Sequence, residues 1–137
     1  MADLLLHTGL SSFQDDDFDA EHHLFEEWFE VSGATAAAVN AASRVIAVET
    51  TVVRALESAT SADGLVEQAS AWTSLAIGPD SPPRTVDALL TGLHEPQASH
   101  FDLLRAFVPE PLLARAYQEA IDRSYLWHEV GDSVLIL

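Results

Sequence analysis

The sequence YLWHEVGDSVLIL, residues 125–137, decides the predicted fold class. Two runs rich in aromatic and β-branched residues flank the pair Gly131 and Asp132, which is typical of a β-hairpin with a two-residue turn. Because an isolated hairpin is marginal in water, we expect a third strand to join it, and the leucines at positions 4–6 are the candidate. These strands make the predicted fold α+β rather than purely helical.

The rest of the chain predicts about six helices. Apolar residues at three- and four-residue steps indicate a first helix from Asp16 or Asp17 to about Gly33. The alanine-rich residues 34–58 place Val45, Val48 and Val52 on one face and predict the central helix of the core. Further start signals stand at Asp63, Ser81, Pro96 and Pro109. The prediction is therefore a predominantly α, α+β fold with a C-terminal hairpin, in one domain of residues 1–137.

The composition is strongly acidic. Six arginines and no lysine face 22 acidic residues, which gives a formal net charge of −16, and no arginine precedes Arg44. Such a field repels nucleic acids and anionic membranes and attracts basic protein surfaces. We therefore expect no direct nucleic-acid or membrane binding and a basic protein partner. The alternative is that the acidity reflects solubility and genome composition.

The same sequence predicts a cytoplasmic protein. It has no cysteine, and therefore no disulfide that would indicate an oxidising compartment. No apolar run approaches the roughly 20 residues that cross a membrane. Asp3 stands where a secretory signal would carry a basic residue, and the apolar run at positions 4–6 is too short for such a signal.

The densest carboxylates lie on the first predicted helix and form the candidate binding surface for the basic partner. Dense carboxylates steer association with a basic surface and can imitate phosphates, so an immunity protein, an antitoxin or a DNA-mimic inhibitor would have this character. The predicted binding residues are Asp15, Asp16, Asp17, Asp19, Glu26, Glu27 and Glu30.

Two other functions stay open. On a helix, Asp19, His23 and Glu26 share a stripe, so His22 and His23 with these carboxylates are the candidate ligands for a divalent metal, in a metal-binding protein or an enzyme. No other cofactor is predicted, because the sequence has no glycine-rich phosphate loop. The alanine-rich surface of residues 34–42 would alternatively suit a helical scaffold or a homo-oligomeric subunit.

The remaining histidines carry weaker signals. His94 and His100 flank a proline turn, and a hydrolytic group would combine one of them with Asp102 or Ser99. No Gly-x-Ser-x-Gly elbow surrounds any serine, so this reading is not favoured. His128 is expected to be partly buried and hydrogen-bonded. The sequence thus favours a non-enzymatic protein and leaves enzymatic activity open.

Overall fold

The computed structural model describes residues 1–7, 26–94 and 100–137. Over these residues, six strands form two three-stranded sheets, and four α-helices lie between them in the chain. The elements in chain order are β1 (Leu5–Leu6), β2 (Glu27–Val31), α1 (Gly33–Asn40), β3 (Ile46–Val48), α2 (Thr50–Ser58), β4 (Ala69–Thr73), β5 (Ala88–Gly92), α3 (His100–Arg105), α4 (Glu110–Asp122), a 3-10 turn (His128–Val130) and β6 (Ser133–Ile136).

Sheet 1 has the order β1–β2–β4 and is antiparallel throughout. Its central strand β2 alternates, because Glu27, Phe29 and Val31 are buried while Glu30 is exposed. This period of two is what a pleated strand with one covered face requires. Trp28 and Trp72 pair across β2 and β4, with their rings edge to face at 5.7 Å.

Sheet 2 has the order β3–β5–β6. β3 pairs with β5 in parallel, and β6 pairs with β5 antiparallel. One face of this sheet packs on the core through Ala47, Leu89 and Ile136, which are all buried. The parallel pair fixes where the ends of β3 and β5 meet, and this edge holds the candidate site.

Helix α2 joins the two sheets. Val53, Ala55 and Leu56 are buried in the core, and its polar face is buried as well. The Glu57 carboxylate accepts the backbone N–H groups of residues 84, 85 and 86 at 2.8–3.0 Å, which anchors the segment that leads into β5. Helices α3 and α4 follow β5 in the chain and contribute Leu104, Leu113 and other apolar residues to the core.

The prediction of six helices with a C-terminal hairpin is wrong, because much of the predicted helix is strand. The segment before Gly33 ends in β2, where pairing with β1 and β4 overrides the helical spacing of its aromatic residues. Residues 34–58 divide into α1, β3 and α2, with the β-branched Val45, Ile46 and Val48 in or beside a strand. The helices predicted from Asp63 and Ser81 are replaced by β4 and β5.

The hairpin prediction fails for a local reason. Residues 128–130 form a 3-10 turn and Gly131 is left-handed, so the chain before β6 does not run beside it as a strand. β6 pairs with β5 instead, and Leu5–Leu6 pairs with β2 rather than with the C-terminal segment. Helices α3 and α4 lie in the two segments predicted helical after Pro96 and Pro109. None of the helices within the described residues is long and apolar enough to cross a membrane.

Candidate functional site

The candidate site lies where the carboxyl ends of the parallel strands β3 and β5 meet. Glu49 follows β3, and His94 follows β5 two residues after its end. The Glu49 N–H donates to the carbonyl of Leu90 at 2.8 Å, and the Thr91 hydroxyl donates to Glu49 Oε2 at 3.0 Å. These two bonds hold the carboxylate against β5. Open α/β sheets bind their ligands at this edge of parallel strands.

Glu49 has an unusual backbone conformation. Its φ is 75°, in the region that favours glycine, although it carries a full side chain. It also stands at the N-cap of α2 without making a side-chain cap bond. The Glu49 carboxylate therefore accepts a hydrogen bond from Thr91 at the site and does not cap the helix. Strained residues that the surrounding structure holds in place cluster at functional sites.

Three imidazoles gather beside Glu49, and we call His94, His100 and His128 the histidine cluster. The rings of His94 and His100 are stacked, with centroids 4.3 Å apart and planes 4° from parallel. The rings of His94 and His128 are 3.9 Å apart and tilted by 36°. His128 Nδ1 also lies 3.2 Å from a carboxylate oxygen of Glu129. The cluster draws on three segments that are distant in sequence.

Burial and neighbouring imidazoles lower the pKa of two members of the cluster, His94 and His100. Burial, with the neighbouring His100 and His128, lowers the pKa of His94 to about 4, against the opposing effect of Glu49 and Glu129. Burial also lowers the pKa of His100, with His128 and the Arg54 guanidinium acting in the same direction. At neutral pH both imidazoles are therefore free to accept a proton or a hydrogen bond.

Gly92 makes room for the cluster. A Cβ at this position would lie 2.7 Å from the Cβ of His128 and 3.4 Å from Nε2 of His94. The His128 N–H donates to the Leu93 carbonyl at 2.9 Å, which ties the 3-10 turn to the end of β5. Next to the cluster, Phe101, Tyr117 and Trp127 form an aromatic series with ring distances of 5.2 and 6.2 Å.

Arg54 on α2 lies close enough to the histidine cluster to affect the pKa of His100. Its Nη1 pairs with the buried Glu27 carboxylate, and its Nε donates to the Leu75 carbonyl at 3.2 Å. Within the described residues its Nη2 is buried without a hydrogen-bond partner. Since Arg54 acts on the pKa of His100, the guanidinium contributes positive potential to one side of the cluster.

The arrangement combines two chemical capacities. An uncharged imidazole offers a lone pair that accepts a hydrogen bond or a proton released during a reaction, and the carboxylates of Glu49 and Glu129 favour a cationic ligand beside them. In residues 1–7, 26–94 and 100–137, no group of three or more His, Asp or Glu side chains has the arrangement of a metal site. The geometry thus suits proton transfer next to a positively charged substrate.

The residues predicted from sequence fall elsewhere. Glu26 and Glu30 are exposed, Glu30 on β2 rather than on a helix, and Glu27 is buried against Arg54. Asp102 pairs with Arg105 at 3.1 Å in the solvent-exposed part of α3. The predicted site residues that lie outside the described residues are Asp15, Asp16, Asp17, Asp19, His22, His23 and Ser99.

Sequence reasoning named the three histidines separately and missed Glu49, Thr91 and Gly92. The sequence does carry one signal for the site: Glu49 and His94 each follow a short apolar run of β-strand length. Reading both runs as parallel strands would have placed the two residues at one edge. The helical interpretation of residues 34–58 and 81–93 removed that signal.

Comparison with known proteins identifies the family. A model described as "Queuosine biosynthesis protein" matches residues 1–136. The chain is 40% identical over 140 residues to the S-adenosylmethionine:tRNA ribosyltransferase-isomerase of Thermosynechococcus vestitus, covering 98% of this chain and 39% of that protein. It is 37% identical to the enzyme of the same name from Moorella thermoacetica, covering 100% of this chain and 42% of that protein. The chain thus spans about two-fifths of the length of these relatives.

A solved structure agrees in fold. The crystal structure of the S-adenosylmethionine tRNA ribosyltransferase from Thermotoga maritima superposes with a TM-score of 0.69 at 35% identity. The match covers 82% of this chain and 41% of that chain. The balanced α+β architecture is therefore shared with a protein of that name, which also contradicts the predominantly helical prediction.

These findings overturn the predicted functions. The relatives are named as enzymes, so the acidic interaction module of immunity, antitoxin or DNA-mimic type is wrong, and so are the metal-binding and helical-scaffold alternatives. Their names specify tRNA, which contradicts both the basic protein partner and the exclusion of nucleic acid. The physical reason is that net charge determines solubility and association behaviour but does not specify a site.

Proposed function

The chain belongs to the queuosine biosynthesis protein family, and we propose that it forms part of an enzyme that transfers a ribosyl unit from S-adenosylmethionine to tRNA. The observation that carries this proposal is the family match over residues 1–136, supported by relatives of that name at 36–40% identity over nearly the whole chain. We also propose the cytoplasm as the compartment, because tRNA is the acceptor.

The donor site of this reaction is proposed at the edge formed by Glu49 and the histidine cluster. S-adenosylmethionine carries a positive charge on sulfur, and the carboxylates of Glu49 and Glu129 favour that charge electrostatically. Transfer breaks the carbon–sulfur bond, with methionine leaving as a neutral thioether on the electron pair, and the glycosidic bond, with adenine leaving and taking up a proton. The acceptor group of the tRNA forms the new bond to the ribosyl unit and releases a proton to a base. His94, uncharged because its pKa is lowered to about 4, is the proposed proton acceptor.

The charge of the chain indicates that the donor and the tRNA are bound by different parts of the enzyme. A tRNA presents closely spaced phosphates, whereas this chain offers six arginines against 22 carboxylates. Arg54 is buried, and Arg105 and Arg123 already pair with carboxylates. We therefore propose that residues 1–137 hold the cationic donor. Most phosphate contacts with the tRNA then come from the part of the family enzyme outside these 137 residues.

Binding of the donor is the first test. Calorimetric titration should show that S-adenosylmethionine binds more tightly than S-adenosylhomocysteine, whose sulfur is uncharged. Glu49→Gln should reduce this preference by about tenfold, which corresponds to about 1.4 kcal/mol of charge interaction. The matched control Glu67→Gln changes an exposed carboxylate elsewhere and should leave the preference unchanged. Equal affinity for the two compounds would disprove the role of Glu49.

Transfer of the ribosyl unit is the second test. The chain, assembled with the remainder of a family enzyme, receives S-adenosylmethionine labelled in its ribose and tRNA from cells that lack this activity. Label should appear in the tRNA, and His94→Gln should lower the rate by about 100-fold, as loss of a general base does. An assembly that binds the donor but never labels tRNA would refute the proposed reaction while leaving the donor site intact.

A further inference from the structure

The outer face of sheet 2 is apolar and exposed. Val48, Leu90 and Leu135 form a row across the three strands, because Val48 pairs with Leu90 and Leu90 pairs with Leu135. Their exposed fractions are 53%, 37% and 53%, and Ile46 beside them on β3 is 50% exposed. We call these four side chains the outer row. The opposite face carries the buried Ala47 and Leu89 and already packs on the core.

Such a face is unusual for this kind of sheet. Strands that pair in parallel are almost always covered on both faces, and their sequences are apolar on both sides for that reason. β3 is also an edge strand of sheet 2 as described, so one side of its backbone is unpaired within the described residues. A contiguous patch of large aliphatic side chains beside an open edge is the signature of an interaction surface.

The exposed region continues into a cavity. A cavity of about 500 Å³ lies along β3 and is lined by Ile46 and Val48 together with Val39, Ala42 and Val52. Most of the lining is aliphatic, with Asp3, Thr35 and Arg44 as its polar members, so the cavity continues the apolar surface of the outer row. The surface therefore has a flat part on the sheet and a concave part beside its edge.

We propose that the outer row and this cavity dock the part of the family enzyme that these 137 residues do not include. The chain matches only 41% of the Thermotoga maritima structure and 39–42% of the relatives described above, so about three-fifths of the family architecture lies elsewhere. The exposed aliphatic side chains of the outer row indicate that this occupant presents an apolar surface to it. The inference rests on family membership and not on the proposed reaction.

The absence of cysteine makes the surface directly measurable. Val48→Cys and Leu135→Cys each place one thiol in the outer row, and Gln118→Cys places a control thiol on the exposed side of α4. Each purified variant is labelled with a maleimide, first alone and then with the complementary three-fifths of the Thermotoga maritima enzyme, once circular dichroism has shown that this complement is folded. Sedimentation of the same samples reports their mass.

The expected result is position-specific protection. Alone, all three thiols should react at similar rates in a monomer. With the complement, the rates at positions 48 and 135 should fall at least tenfold, while the rate at position 118 stays unchanged. Unchanged rates at a saturating excess of complement would overturn the proposal. Protection in the chain alone, together with the mass of a dimer, would also overturn it, because a second copy would then be the occupant.

A charge substitution distinguishes docking from folding. Leu135→Asp should abolish the protection of a thiol at position 48 and leave the urea midpoint of the isolated chain within error, because the side chain is half exposed. If Leu135→Asp instead lowers the midpoint as a core substitution does, the outer row belongs to the fold of the chain alone. Donor binding in the same variant should persist, so failure of docking is separable from failure of the proposed function.

Discussion

The lowered pKa of His94 predicts that acid destabilises the protein through this one residue. The imidazole titrates at about 4 when folded and at 6.5 when unfolded, so between these values the unfolded chain binds more protons. No contribution is expected above about pH 6.5, where His94 is neutral in both states. Stability is then lost as the pH falls from about 6.5 towards 4.

The magnitude follows from the same two values. For a single group titrating at 6.5 and at about 4, acidification from about pH 7 to about pH 5 lowers the free energy of unfolding by about 2 kcal/mol. The ring is only partly buried, so solvent screening reduces this to about 1 kcal/mol. The side chains that face it and share the effect are His100, His128, Glu49 and Glu129.

Urea unfolding at several pH values measures the effect. The carboxylates of the chain also titrate on acidification, so the informative quantity is the difference between the wild-type protein and His94→Gln at each pH. This difference should shrink by about 1 kcal/mol between about pH 7 and about pH 5. Glu67→Gln serves as the control and should follow the wild-type curve. A difference that stays constant with pH would refute the assignment of the lowered pKa to His94.

Three further substitutions follow from individual contacts. Gly92→Ala should cost about 1–3 kcal/mol of stability, because the added carbon meets the His128 Cβ at 2.7 Å, whereas Gly78→Ala, with its nearest contact at 3.9 Å, should change the urea midpoint little. Arg54→Met should lose about 3–5 kcal/mol by removing the buried guanidinium that pairs with Glu27, whereas Arg105→Met, in a solvent-exposed pair, should lose under about 1 kcal/mol in the same assay. Glu57→Gln should cost about 1–3 kcal/mol in thermal and urea unfolding. An amide accepts hydrogen bonds on one oxygen only, so its N–H₂ group would face the backbone N–H of residue 84 or 85. An unchanged midpoint would contradict the anchor of three hydrogen bonds.

Sequence reasoning located the helices whose signals are local. A proline at the start and an amphipathic pattern of Leu113, Tyr117 and Ala120 suffice for α4, because this helix packs one face on the core and leaves the other in water. The same reasoning failed for β2, β3 and β5. These strands are short, and their apolar residues fit a helical period as well as an extended one, so the choice depends on partners far away in the chain.

The candidate site was not predictable for a related reason. Glu49, Thr91 and His100 become neighbours only after β3 and β5 pair in parallel, and no spacing within one segment records that pairing. The run of acidic residues before Glu30 was predicted as the binding surface instead, because a charge run is visible in the sequence whereas the end of a strand is not. Three histidines spread over residues 94–128 form no sequence pattern, and only the folded topology brings them together.

The connectivity of the two sheets has a consequence for how the protein acquires its structure. Leu5 pairs with Glu30, Ala47 with Leu89, and Leu90 with Leu135, so every strand ladder in the described residues joins segments more than twenty positions apart. Closing such loops costs entropy before any contact repays it, and chains dominated by distant pairings fold in milliseconds to seconds rather than microseconds. During synthesis, β5 must wait until residues 133–136 have emerged before β6 can pair with it. Refolding experiments should therefore show α4 forming ahead of the ladder between β5 and β6, with sheet 2 completed last.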